Sequence, residues 1–143
     1  MFPHIATVYN SYEGTNGTVL NVTILHGVLI DESTGTGNNR LGLSDADAVK
    51  MYIPLEVCAK GTSGTQKTYL PPREFYASSD KSSYWTLDTG GQASGVGTYF
   101  AKGEVVSSDS YAKFRAGHDG VYDVSDVKTR DFGGLQHFEV SGK

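Results

Sequence analysis

The chain is short of several things that whole classes of function require. Its 143 residues include one cysteine and four prolines, and Leu and Ala together number only 18. A lone Cys58 cannot close an internal disulfide, which suits a reducing compartment. Twelve basic residues face sixteen acidic ones, for a net charge of −4, and no basic run occurs anywhere. The electrostatic footprint of nucleic-acid binding is therefore missing, and no sequence-specific nucleic-acid partner is expected. No apolar stretch approaches the ~20 residues that cross a bilayer as a helix, so no membrane partner is expected either. Met1-Phe2-Pro3-His4 has neither the charged start nor the apolar run of a secretory leader. The sequons at Asn16 and Asn21 are accordingly expected to stay bare. The scarcity of Leu and Ala removes the helix bundle from consideration.

What the chain does have is turn and strand material. Gly, Ser and Thr number 18, 14 and 13; Thr, Val and Ile together number 30, and there are nine tyrosines. Branched and aromatic side chains fit a pleated surface and lose rotamer freedom in a helix. Apolar and polar residues alternate over 4–11 and again over 18–30, with Asn16-Gly17 between them as a tight-turn pair, so these runs predict a hairpin. In the second run Leu20, Val22, Ile24, His26 and Val28 share one face by simple alternation, while Gly27 marks a candidate bulge. Strands are further predicted at 48–55, 84–87 and 97–106. A second hairpin is predicted from 121–128 and 135–140, around Asp131-Phe132-Gly133-Gly134. Pro71-Pro72-Arg73-Glu74-Phe75 reads as one helical turn. No composition break divides the chain. The expected fold is all-β: a single domain over 1–143, an antiparallel β-barrel or sandwich with long polar loops and at most one short helix.

Candidate chemistry is thin. Cys58 borders a loop without a nucleophile elbow or a papain-like signature, and a small half-buried thiol is the better reading. His4, His26, His118 and His137 are widely spaced, and Asp45 and Asp47 lack the glycine and distal glutamate of a calcium loop. Gly90-Gly91 and Gly95-x-Gly97 are followed by neither Gly-Lys-Ser/Thr nor a helix, so they are not phosphate loops. Catalytic, metal and cofactor sites are thus all expected to be absent. A domain rich in Tyr with one Trp invites a carbohydrate-binding reading, but Tyr84 and Trp85 are adjacent and would point to opposite sides of a strand. Trp85 is expected in the core.

Several segments form an ordered series: Tyr9-Asn10, Ile24-Leu25-His26-Gly27-Val28, Gly42-Leu43-Ser44-x-Ala46-Asp47-x-Val49, Tyr52-Ile53-Pro54, and Tyr69-Leu70-Pro71-Pro72-Arg73-Glu74-Phe75. Trp85-Thr86-Leu87, Lys102-Gly103-Glu104, Thr129-Arg130-Asp131-Phe132-Gly133 and Gln136-His137-Phe138-Glu139-Val140-x-Gly142-Lys143 continue it. The series resembles a family of small tailed-phage and prophage proteins, often labelled minor capsid proteins, whose genes lie in the head–tail joining region. Phe138 and Ser141 stand where Trp and Gly are expected, and the 33–40 loop is longer. The resemblance implies a non-enzymatic virion structural protein of the head–tail connector, or neck. It would be a head-closure (stopper) or adjacent tail-completion protein, assembled in the host bacterial cytoplasm and resident at the head–tail interface. The implied partners are other copies of itself in a ring, the portal or adaptor proteins, and tail proteins of the same phage. The alternative is a sugar-binding decoration or host-recognition module. The resemblance carries over no catalytic residues. On this reading the polar loops 31–43, 60–67 and 88–95 make the contacts, with Gly35, Asn38, Asn39, Arg40, Leu41, Leu43, Lys60, Lys67, Gly90 and Gln92 as candidate contact residues.

Overall fold

In the computed structural model, residues 3–15, 17–32, 49–89, 97–106, 111–118, 120–131, 133–134 and 136–142 are described. Strand β1 (His4–Gly14) and strand β2 (Gly17–Asp31) form the long hairpin that the first two alternating runs predict, with Asn10 opposite Asn21. Along the other edge of β2 lie two consecutive pieces of chain. β3 (Val49–Pro54) covers residues 29–31, and β4 (Cys58–Lys60) covers residues 24–26. Segments β5 (Thr68–Tyr69), helix α1 (Pro72–Ala77), a 3-10 turn (Lys81–Ser83) and β6 (Tyr84–Trp85) follow. The chain then runs through β7 (Gly97–Lys102), helix α2 (Tyr111–Gly117), β8 (Val121–Arg130) and β9 (His137–Gly142).

The seven-stranded sheet has the order β1-β7-β8-β9-β3-β2-β4, and β1 also pairs with β2. That last pairing closes the antiparallel sheet on itself, so of the two expected architectures the chain forms the barrel. Closure removes the exposed strand edges that invite aggregation. β8 and β9 pair from Val124 opposite Gly142 to Arg130 opposite His137, which is the second expected hairpin.

The interior is filled by Val8, Leu25, Val28, Met51, Ile53, Phe100, Val124 and Val140, all essentially inaccessible. Leu25 and Val28 share this interior although simple alternation puts them on opposite faces. The reason is Gly27: its φ of 90° lies in the left-handed region, and the β1–β2 register skips there, pairing His4 with Val28 but Ile5 with His26. One extra residue reverses the facing of everything after it. A second, smaller core lies outside the wall. Tyr9 and Tyr99 stack at 4.9 Å, and Phe114 of α2 meets Tyr9 edge-on at 5.2 Å.

Two local features differ from the sequence reading. Helix α1 is the helical turn expected at 71–75, entered through Pro71 and Pro72, but α2 is a second short helix in a stretch with no assigned element. It is held by packing of Phe114 rather than by length, which is why periodicity does not reveal it. Residues 84–87, expected as an ordinary strand, pair only through Tyr84–Trp85, and the pairing with Thr68–Tyr69 is parallel.

The strand directions give the barrel two ends. At the base, Asp31 pairs with Lys50, Val49 with Gly142 and Ala6 with Lys102. At the mouth, Ser11 pairs with Gly97 and Pro54 with His137.

Candidate functional site

The mouth is closed by described residues between β4 and β7, from Lys67 to Asp88. Trp85 and Leu87 are 1% and 2% exposed and belong to the interior core. Tyr69 meets Trp85 at 5.0 Å and Phe138 of β9 at 4.6 Å. This crossing segment passes over β1, β2, β7 and β9, and its backbone polar groups need partners that no regular ladder supplies.

Interior side chains supply them. Asn10 donates Nδ2 to the Thr86 carbonyl (2.8 Å) and the Thr98 hydroxyl (2.9 Å), while its Oδ1 accepts the Thr86 N–H at 3.1 Å. The Thr98 hydroxyl also accepts the Asp88 N–H at 2.9 Å. Asn21, directly across the hairpin, donates to the Tyr84 carbonyl at 2.8 Å. Two carboxamides thus act as ladder rungs for a segment that crosses the strands. Downstream, the Tyr76 hydroxyl donates to Asp88 Oδ2 at 2.7 Å, and burial, reinforced by this acceptor, pushes the phenol well above its ordinary range.

Lys67 completes the layer. It is 8% exposed, and its Nζ donates to Asn21 Oδ1 (2.8 Å), the Val22 carbonyl (2.9 Å) and the Thr23 hydroxyl (3.2 Å). These three acceptors match its three protons, and all are neutral. Desolvation by burial pushes the ammonium down to about 8. Gly61 makes the room: a Cβ there would lie 3.1 Å from Lys67 Cε. Outside this layer opens a cleft of about 320 Å³ whose walls include Asn21, Gly61, Ser63, Thr65, Lys67 and Ser83.

The expected contact residues fare unequally. Lys60 is exposed at the end of β4. Lys67, expected to offer its charge to a partner, is instead buried and bonded to its own chain, because the chain turns back at Gly61–Gly64 and lays it against β2. Gly35, Asn38, Asn39, Arg40, Leu41, Leu43, Gly90 and Gln92, like Asp45 and Asp47, lie outside the described residues. The residues flanking them are placed, however: 33–48 is rooted at the base and 90–96 at the mouth. At the base root, Glu32 accepts from Lys102 Nζ (2.7 Å) and from the Tyr122 hydroxyl (2.5 Å), and the Lys102 bond leads in holding its carboxyl below the usual range.

Cys58 is exposed rather than half-buried, because β4 turns Ala59 inward and its neighbours outward. It lies opposite His26, also exposed, on the outer wall, and neither lines the cleft at Lys67. His4 accepts the Ile30 N–H, His118 stacks on Phe114 and His137 lies against Tyr52. No group of three or more His, Cys, Asp or Glu side chains among the described residues is placed to hold a metal ion. Trp85 is buried as expected, so its ring is no platform for a sugar.

Sequence reasoning missed the Asn10–Asn21–Thr98–Lys67 layer. The available signal was an amide at an interior position of two otherwise apolar strands: Asn10 follows Ala6 and Val8 at the same parity, and Asn21 precedes Thr23 and Leu25.

No curated protein and no solved structure matches the chain. Residues 3–143 match the family described as "Family of unknown function (DUF6751)", and the chain belongs to that family.

Proposed function

We propose that the chain is a virion structural subunit of a phage head–tail connector, of the head-closure or tail-completion kind, which assembles with copies of itself into a ring. The observation that carries the reading is the placement of the loops on the barrel. The 33–48 segment is rooted at Asp31 and Val49 on the base, whereas 90–96 is rooted at Asp88 and Gly97 on the mouth. Long polar segments at opposite ends of a closed, rigid wall suit a subunit that touches a neighbour above and a neighbour below. The described strands close the wall among themselves. Exposed ion pairs contribute only ~0–1 kcal/mol each, and a ring makes such weak contacts effective by repetition. On this reading the protein is not an enzyme; Lys60 remains a contact residue and Lys67 does not.

Deleting residues 33–40 tests the proposal. The purified variant should melt within a few degrees of wild type while particles fail to join heads to tails. A variant that unfolds, or that leaves infectious yield unchanged, contradicts it.

A further inference from the structure

The cleft at Lys67 has a feature that the subunit role does not use. A buried ammonium ion is costly unless an opposite charge compensates it. None of the ion pairs among the described residues includes Lys67; its three partners are neutral. Of the groups around its nitrogen, Asn21, Val22 and Gly61 line the cleft while the buried Thr23 lies behind them, so the positive charge lies at the cleft wall, where the core meets the cleft. The same cleft is lined by Ser63 and Thr65, whose hydroxyls are 3.1 Å apart on and just after the Gly61–Gly64 turn. Either hydroxyl can rotate to donate outward.

We propose that this cleft binds a small oxyanion, which supplies the negative charge that none of the described residues places beside Lys67. The ion sits in the field of the ammonium without displacing its three bonds, and takes donors from Ser63 and Thr65. The other charged groups on the surrounding elements are Lys60 beside Gly61, and Asp80 and Lys81 at the 3-10 turn. Asp80 is engaged by the Ser82 and Ser83 hydroxyls at 2.7 Å each, which hold its carboxyl below the ordinary range. Lys81 is turned away, donating to the Ser78 carbonyl and lying over the Tyr12 ring. Binding is linked to the Lys67 proton: the ion favours the charged form, so affinity falls as the ammonium titrates near 8.

Sulfate is the probe, because it stays a dianion across the range used. Backbone amide NMR of the whole chain follows a sulfate titration at constant ionic strength, with chloride as the balance. We expect saturable shifts centred on Gly61, Ser63, Thr65 and Asn21, and an affinity lower by roughly tenfold at about pH 9.5 than at about pH 6.5. The Ser63→Ala/Thr65→Ala pair, which keeps the fold and Lys67, should weaken binding several-fold; Lys67→Met should abolish it, and Lys60→Met should leave it unchanged. Should Lys67→Met fail to fold, the pH arm and the hydroxyl pair decide alone. Shifts that do not saturate, binding that ignores pH, or binding lost with Lys60 instead would overturn the site.

Discussion

The two ends of the barrel are fastened by different physics. At the mouth, Asn10, Asn21, Thr98 and Lys67 bond to backbone and hydroxyl groups inside the wall, and all four are 8% exposed or less. At the base, Glu32 is held by Lys102 and Tyr122 at the surface, with the ion-paired side chains 42% and 40% exposed. Water competes for every group of the second clasp and for almost none of the first. A buried polar group that loses its partner has nothing to replace it, so the mouth network contributes both stability and a unique register. The base clasp can open and be rehydrated at little cost. The mouth therefore behaves as part of the core, and the base clasp as a surface fastening at the root of a long segment.

The contrast can be broken most forcefully at Trp85. Trp85→Ala empties the interior beneath the crossing segment and should cost about 3–5 kcal/mol in chemical denaturation. A loss below ~1 kcal/mol would mean that the segment is not part of the core. Asn10→Ala leaves the Thr86 N–H and carbonyl buried without those partners, and about 2–4 kcal/mol should be lost. Lys67 sharpens the comparison through pH. Its folded value of about 8 lies below the ordinary 10.5, so between those values the unfolded chain holds a proton that the native chain has released. Stability should therefore rise with pH through that window and be flatter in Lys67→Met, as read by urea denaturation from pH 7.5 to about 9.5, below the range where tyrosines ionise. The smallest effect belongs to the base. Glu32→Gln should cost under ~1 kcal/mol, less in high salt. Because the Glu32 carboxyl is held below 4.5, the clasp's contribution is present above that value and fades as pH falls through the lowered one.

Much of the scaffold was legible in the chain. Both hairpins, β3, the burial of Trp85 and the bulge at Gly27 follow from alternation, turn pairs and a glycine in the wrong place for a strand. Barrel closure was not legible, because the β1–β7 and β3–β9 pairings are both long-range choices that alternation alone leaves open. The parity shift at Val124/Asp126 was equally hidden: no glycine marks it, yet it puts Val124 and Val127 on the same side. The mouth layer escaped for a different reason. Lys67 lies in a polar loop sequence, where charge predicts exposure; only the Gly61–Gly64 turn, which folds it back against Asn21, shows that it is interior. Cys58 was misjudged in the opposite direction, because a three-residue strand offers too little alternation to say which way it faces.

Native-state hydrogen exchange tests most directly whether the crossing segment is core. The Thr86 and Asp88 amides are bonded to Asn10 Oδ1 and Thr98 Oγ1 rather than to a neighbouring strand. If the mouth is fastened as described, both exchange only through global unfolding, with the same opening free energy as the Phe100 and Leu25 amides in the wall. If they exchange at a much lower opening free energy while the wall stays protected, the segment opens as a separate lid, and its place in the core is contradicted.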